Sequence, residues 1–164
     1  MPGAPTEAEG LIEWHRGEYL VTCDRRKADL KVIADFLGGS YWAKGISPAL
    51  VRRSVEHSLN FVLLKAHEQI GFARVITDFA TIGYLGDVFV LPPHRGQGLG
   101  KWLIECVMSH PDLQGFRRWI LATLDAHELY KEFGFTRLAK PEVFMEKSNP
   151  NVYALTHGIG AKEA

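Results

Sequence analysis

A glycine-rich turn between a strand-like run and a helix-like run constrains this chain most. The apolar residues 88–91 lead through Pro92-Pro93 into Arg95-Gly96-Gln97-Gly98-Leu99-Gly100, and apolar residues then recur at helical spacing as far as Val107. The first N–H groups of a helix have no partner inside it, and glycines let a ligand approach the backbone closely. The turn therefore predicts an anion site, most simply a phosphate site, although similar turns also occur in proteins that bind no phosphate.

Two common phosphate motifs do not fit this turn. A Walker A loop ends in Gly-Lys-Ser/Thr, whereas this chain has Gly100-Lys101-Trp102 and lacks the hydroxyl for magnesium. The dinucleotide fingerprint needs the spacing G-x-G-x-x-G, whereas Gly96, Gly98 and Gly100 alternate. An NTP-dependent transferase is therefore disfavoured.

Two segments together carry a family resemblance. The pattern R-x-x-G-x-G that begins at Arg95 resembles the acyl-CoA pyrophosphate loop of the GNAT N-acetyltransferase superfamily. Residues 126–135, which read A-x-x-L-Y-x-x-x-G-F, resemble a later segment of the same superfamily. The two motifs have the order and separation found there, and with weaker early elements the resemblance extends over residues 18–147.

The pattern of apolar residues predicts a mixed α/β fold with a mainly antiparallel central sheet flanked by helices. A strand over 19–22 precedes two helices, the second with Ser47 as N-cap and Pro48 at its first position. An antiparallel meander is predicted from Phe61 to Val90. Further predicted elements are the helix after the glycine turn, a strand over 118–122, a helix over 125–132 capped by Asp125, and strands over 135–138 and 143–146. The resemblance implies a GNAT-like acyl-CoA N-acyltransferase fold.

The chain predicts one domain. Its 164 residues, of which 46% are hydrophobic, suffice for the core of one ordinary domain. We expect a flexible leader over 1–17, because it contains prolines and acids without a sustained apolar run, a single domain over 18–147, and a C-terminal tail over 148–164. The apolar positions 143–145 could serve the domain's own sheet or a partner, so a homodimer remains open.

Charge and cysteine content argue against nucleic-acid binding, membrane binding, a metal site and a disulfide framework. Lysine plus arginine equals aspartate plus glutamate at 19 each, so no net field favours nucleic acid or an anionic membrane. Cys23 and Cys106 have neither metal-ligand spacing nor a disulfide-like framework. We expect a cytoplasmic protein without a metal site, and no apolar run approaches membrane-spanning length.

The resemblance implies acetyl-CoA as the co-substrate. Its pyrophosphate would be bound by the residues Arg95, Gly96, Gln97, Gly98, Leu99 and Gly100, and its pantetheine arm would lie against the backbone of Phe89 and Val90. In the resembled fold, the strand that carries these two residues bulges and diverges from the next strand. Thr123 stands where many members have an asparagine that binds the pantetheine arm or acceptor region; a strand-end hydroxyl that satisfies backbone groups is the alternative.

Tyr130 matches the residue that usually serves as general acid in the superfamily. It lies at the edge of the apolar face of the helix predicted over 125–132, where a phenol can pack its ring and keep its hydroxyl near a cleft. Transfer of an acetyl group to an amine expels a thiolate, to which such a phenol can donate a proton. Simple boundary packing is the alternative for Tyr130.

Asp87 is the candidate carboxylate for the acceptor amine. It lies in an otherwise apolar strand, where an unpaired buried carboxylate would be costly. Relatives often carry an acidic pair here, whereas this chain has Gly86 before Asp87. We expect Asp87 to bind or orient the amine and to be the candidate base, with a structural ion pair to Arg74 as the alternative.

The acceptor itself is unspecified by the sequence. In the superfamily the first two helices and their connecting loop set acceptor specificity, which places Tyr41 and Trp42 near the expected pocket; anchoring of loop aromatics against the core is the alternative. The expected function is transfer of an acetyl group from acetyl-CoA to a primary amine of a small molecule or peptide. A non-catalytic acyl-CoA sensor or scaffold is the alternative class.

Overall fold

The computed structural model describes residues 3–8 and 11–154. Within these residues seven strands form one sheet in sequence order: β1 (Thr6–Ala8), β2 (Leu11–Arg16), β3 (Tyr19–Thr22), β4 (Leu59–Lys65), β5 (Glu68–Thr77), β6 (Ile82–Val90) and β7 (Arg118–Leu121). All neighbouring strands are antiparallel except β6 and β7, which are parallel. The main helices are α1 (Leu30–Gly39), α2 (Pro48–Glu56), α3 (Leu99–Met108) and α4 (His127–Lys131).

The sheet is covered on both faces, which confirms the predicted fold class. One core packs α3 against the sheet and centres on Trp14, Phe61 and Leu103. The other core packs α1 and α2 against the opposite face, around Ile33, Val51 and Phe72. Alternation of side chains along each strand supplies both cores from the same strands, so β4 and β5 are buried along most of their length.

Local signals at the starts of α1 and α2 explain why these helices begin where they do. The Asp29 carboxylate accepts hydrogen bonds from the N–H groups of Lys31 and Val32, and the Ser47 hydroxyl accepts one from Leu50 N–H. Each cap satisfies donors that a helix leaves without a partner. The predicted cap at Ser47 is therefore found, and it fixes the end of the loop that leads from α1 into α2.

The N-terminal residues differ from the expected flexible leader. Residues 6–8 and 11–16 form β1 and β2, and β2 pairs with β3 through Trp14 opposite Val21. The side chain of Trp14 is fully buried. The prolines and acids near the N-terminus favoured the prediction of a flexible leader. The strand β2 forms because Trp14 is buried against residues that are distant in sequence. Residues 1–2 and 9–10 lie outside the described residues.

The C-terminal part also differs from expectation. Neither of the strands expected over 135–138 and 143–146 is present in the described residues; instead a 3₁₀ turn spans Pro141–Val143. Proline lacks the N–H that a strand ladder needs, and Met145 is 97% exposed. Of the tail expected over 148–164, Tyr153 packs against the core of α1 and α2, and residues 155–164 lie outside the described residues.

The helix α4 begins later than predicted and without the expected cap. It starts at His127, its N-cap residue is Ala126, and no side chain caps it. The Thr123 hydroxyl instead accepts a hydrogen bond of 3.1 Å from Ala126 N–H. The predicted capping role of Asp125 is therefore wrong, because the hydroxyl at the end of the preceding segment satisfies the backbone there.

Candidate active site

The strands β6 and β7 diverge, and a cleft opens where they separate. Their parallel ladder runs from Ile82 opposite Arg118 to Leu85 opposite Leu121 and then stops, although β6 continues to Val90. A register shift between β5 and β6 falls at this point, and Asp87 has a left-handed backbone with φ of 53°. Such a bulge increases the local twist and bends the strand. The resulting cleft has a volume of about 1490 Å³.

The glycine turn lies at one end of this cleft and presents the start of α3. Gly96 and Gly98 have φ of 79° and 74°, which L side chains rarely adopt, so glycine is required at both positions. Gly98 is the N-cap residue, and no side chain caps the helix. The N–H groups of the first turn of α3 therefore stay available to an anion in the cleft.

Packing around the turn leaves space for a ligand. A Cβ atom added at Gly98 would meet no atom within 4 Å, and one added at Gly100 would meet only the Val90 side chain at 3.8 Å. The described residues thus do not fill the volume in front of these two glycines. The Leu99 side chain points the other way, into the core, and is 2% exposed. Between Gly98 and Gly100, the chain therefore presents mainly its backbone to the cleft.

Two side chains hold the turn in place. Arg95 Nε donates a hydrogen bond of 2.9 Å to the Val90 carbonyl, and the Tyr19 hydroxyl donates one of 2.9 Å to Gln97 Oε1. Arg95 lines the cleft, so its other N–H groups can also approach a phosphate there. The structure therefore gives Arg95 a role in fixing the turn, which the sequence did not indicate.

Tyr130 lies on the opposite wall of the cleft. Its side chain is 8% exposed, and its hydroxyl has no hydrogen-bond partner among the described residues. Burial, with smaller contributions from Tyr41 and Asp125, raises the pKa of Tyr130 to about 12. The phenol therefore remains protonated at neutral pH and can donate to a group in the cleft.

The Asp87 carboxylate is bound on both oxygens. Arg74 Nε donates to Oδ2 at 2.8 Å, and Trp42 Nε1 donates to Oδ1 at 3.0 Å. The Asp87 side chain is only 11% exposed, and the Arg74 side chain is 16% exposed. The ion pair with Arg74, expected as an alternative, is present. The bond to Trp42 was missed, because 45 residues separate the partners and no local pattern connects them.

The loop between α1 and α2 reaches across the cleft. Trp42 contacts Asp87 on β6, and the Tyr41 hydroxyl accepts a hydrogen bond of 3.1 Å from Leu124 N–H, just beyond β7. Both aromatic side chains also contact each other edge to face. The predicted placement of Tyr41 and Trp42 beside the cleft is found, and the loop connects the two diverging walls.

The remaining expected residues line the same cleft in different ways. The Phe89 ring faces the second core and stacks on Phe36, with 4.0 Å between ring centroids, so its backbone rather than its side chain remains for a ligand. Thr123 lines the cleft while its hydroxyl accepts from the backbone of Ala126. Arg53 and His57, which also line the cleft, were missed, although their spacing of four on a helix could have indicated a shared face.

A metal-binding cluster and a membrane-spanning helix are both absent from the described residues. Among them, no group of three or more histidine, cysteine, aspartate or glutamate side chains is arranged to hold a metal ion. None of the helices in residues 3–8 and 11–154 combines the length and the apolar character that crossing a bilayer requires.

The sequence and the fold match those of known proteins. The family described as "Acetyltransferase (GNAT) domain" matches residues 56–137. A GNAT-family protein of Xanthomonas campestris pv. campestris, named as an acetyltransferase, is 48% identical, and its crystal structure superposes with a TM-score of 0.82 over 85% of this chain and 99% of that chain. A Gibberella zeae protein, an acetyltransferase by name with no substrate given, is 31% identical over 71% of this chain and 78% of its own length.

A more distant structure shares the fold alone. A Clostridium acetobutylicum protein crystallised with acetyl-CoA, named as an acetyltransferase, is 15% identical. It superposes with a TM-score of 0.56 over 79% of this chain and 94% of that chain.

Proposed function

Since this chain belongs to the GNAT acetyltransferase family, we propose that it is an N-acetyltransferase that moves the acetyl group of acetyl-CoA directly to a primary amine. The observation that carries the proposal is the cleft between β6 and β7, which has an uncapped helix start at one end and a buried phenol on its wall. A diphosphate would bind at the helix start, and the phenol would donate a hydrogen bond to a leaving thiolate.

The residues around the turn fit acetyl-CoA. Backbone N–H groups of residues 96–100 would bind its pyrophosphate, whereas the Arg95 N–H already donates to the Pro92 carbonyl. The open space before Gly98 and Gly100 would admit the phosphate oxygens. Among the described residues, β6 has no strand partner on the side of β7 beyond Leu85, so backbone groups near Phe89 and Val90 would bind the pantetheine arm. The distant relative crystallised with acetyl-CoA supports this choice of co-substrate.

Tyr130 would act on the leaving thiol. Its pKa of about 12 lies above the reference of about 8.5 for a thiol, so complete proton transfer would be uphill in the free protein. A hydrogen bond from the phenol to the sulfur as negative charge develops needs no complete transfer and lowers the barrier. Unpaired backbone N–H groups of β6 would stabilise the oxyanion that forms when the neutral amine attacks. The proton that the amine nitrogen then loses would pass to Asp87, directly or through water.

Asp87 would orient the acceptor amine. Each of its carboxylate oxygens accepts one hydrogen bond, from Arg74 or from Trp42, which leaves acceptor capacity on both. The loop residues Tyr41 and Trp42 would form the acceptor side of the pocket. Thr123, whose hydroxyl is occupied by the backbone, would contribute to the pantetheine side through its remaining donor.

Release of free thiol from acetyl-CoA in the presence of a panel of amines tests the proposal. A transferase releases thiol only when an acceptor is present, and the acetylated amine appears in equal amount. The engagement of both Asp87 oxygens favours a second candidate, an acyl-CoA-binding sensor without turnover. Binding of acetyl-CoA without thiol release for any amine would support the sensor and contradict the transferase.

A further inference from the structure

One face of α2 forms a wall of the cleft at the acceptor end. Leu50, Arg53, Ser54 and His57 recur at helical spacing and all line the cleft, whereas Val51 and Val55 on the other face are buried. The wall therefore presents the guanidinium of Arg53 and the imidazole of His57 on one side. The proposed chemistry of acetyl transfer uses neither group.

The Arg53 guanidinium in this wall has no charged partner among the described residues. Among the described residues, Arg53 makes neither an ion pair nor a hydrogen bond through its side chain. The nearby Arg74 donates through Nε to Asp87 and through Nη1 to the Ser58 hydroxyl, so further N–H donors remain. Within the described part of the chain, two carboxylates line the cleft: Asp87, which Arg74 already neutralises, and Asp125, which lies beyond β7 next to Leu124.

This charge distribution selects against purely cationic acceptors. A polyamine would meet the unpaired guanidinium of Arg53 next to the pair formed by Arg74 and Asp87, and like charges in a cleft repel; Asp125 is the one carboxylate of the cleft that could attract it. An anionic group on the acceptor would instead be attracted to this wall, because a guanidinium donates paired hydrogen bonds to a carboxylate or a phosphate. The Asp87 carboxylate lies across from α2, where it can receive the ammonium end of the same molecule.

We propose that the acceptor is a small amine that also carries an anionic group, a carboxylate or a phosphate, and that Arg53 and His57 bind that group. The proposal rests on the proposed acetyl transfer and specifies its substrate class. Arg53 would then be a specificity-determining residue whose effect falls on the acceptor and not on acetyl-CoA.

A competing explanation is that Arg53 is a solvated cation at the end of a helix. Arginine in the last turn of a helix interacts favourably with the helix dipole. Arg52 provides the matched control, because it is the adjacent exposed arginine of the same helix and does not line the cleft. An effect through net charge would be similar for Arg52→Gln and Arg53→Gln, and an effect through the dipole would lower the stability of Arg53→Gln without changing its KM for the acceptor.

The test measures initial rates of thiol release from acetyl-CoA by the full chain. Matched acceptors separate the two anions: β-alanine against β-alaninamide for a carboxylate, and phosphoethanolamine against ethanolamine for a phosphate, with spermidine as the cationic probe. We expect the anionic member of at least one pair to have a kcat/KM about tenfold higher. In Arg53→Gln the KM for that acceptor should rise about tenfold, while the KM for acetyl-CoA and all constants of Arg52→Gln stay at wild-type values.

Two results would contradict this proposal, and a third would contradict acetyl transfer itself. Preference of the wild type for spermidine or for the neutral member of both pairs would overturn it while leaving acetyl transfer intact. Equal effects of Arg52→Gln and Arg53→Gln would assign Arg53 to surface charge alone. Absence of thiol release with every amine, from a folded protein that binds acetyl-CoA, would instead overturn the proposed transferase, so the two failures are distinguishable.

Discussion

Trp42 donates a hydrogen bond from its indole Nε1 to Asp87 Oδ1, at 3.0 Å, and so joins the loop between α1 and α2 to the bulge of β6. Arg74 holds the other oxygen of the same carboxylate at 2.8 Å. Asp87 has φ of 53°, a conformation that aspartate and asparagine adopt more readily than most side chains. The strand bulge that opens the cleft and the loop that lines it therefore depend on one carboxylate.

A double-mutant cycle tests the coupling between these two residues. Trp42→Phe removes the indole donor and keeps an aromatic ring, and Asp87→Gly removes the acceptor and suits the left-handed backbone. We expect a coupling of about 1 kcal/mol in the free energy of unfolding, because residues in one hydrogen-bond network are not additive. Urea denaturation of the wild type, both single variants and the double variant gives this value. Strict additivity would show that the bond does not hold the loop.

Replacement of Tyr130 by phenylalanine tests the role of its hydroxyl. Tyr130→Phe preserves the packing of the ring against Phe135 and removes only the donor. We expect kcat to fall about 100-fold, at the lower end of the usual contribution from a positioned acid, with acetyl-CoA affinity unchanged. Steady-state rates at saturating substrates and a calorimetric titration separate these two quantities. A wild-type kcat in the variant would assign Tyr130 to packing alone.

His110 makes the stability of the fold depend on pH. Its ring is 3% exposed and lies against Trp14 and Phe61, and burial lowers the pKa of His110, while the Asp112 carboxylate opposes this in part. As the pH falls, His110 in the unfolded chain becomes protonated near the reference pKa of about 6.5, whereas in the folded chain it becomes protonated only at a lower pH. Stability is therefore fully present above the reference pKa and is lost as pH falls toward the folded pKa.

Comparison with His110→Asn isolates this dependence. The Asn side chain can still accept the hydrogen bond that His110 Nδ1 receives from Asp112 N–H, but it does not titrate. We expect the unfolding free energy to decrease less between about pH 7.5 and about pH 5.5 in the variant than in the wild type. Equal decreases in the two proteins would show that other groups cause the loss.

Elements with local signals could be predicted from the sequence, and those stabilised by distant contacts could not. The Ser47 cap with Pro48 after it, the meander from Phe61 to Val90 and the glycine turn before α3 all follow from neighbouring residues. The strand β2 was missed, because its burial depends on Trp14 meeting the core across the sheet. Tertiary context overrides local propensity most easily in strands.

The same distinction holds at the candidate site. The motifs placed Tyr130, Asp87 and the turn over 95–100 in advance, and all of them line the cleft or lie at its end. The bonds that join Trp42 to Asp87 and Tyr41 to Leu124 span 45 and 83 residues, so no short pattern could indicate them. Residues 143–146 resemble a strand, but within the described residues no neighbouring strand pairs with them.

Binding of acetyl-CoA at the start of α3 is the central claim, and isothermal titration calorimetry tests it with a matched pair of variants. Gly98 and Gly115 have φ of 74° and 75°, and a Cβ at either would meet nothing within 4 Å, so alanine imposes the same backbone strain of roughly 1–2 kcal/mol at both. Gly98 lines the cleft, whereas Gly115 does not. The wild type and Gly115→Ala should bind acetyl-CoA alike, with Gly98→Ala at least about tenfold weaker. Absence of binding to the wild type, or equal weakening in both variants, would contradict the claim.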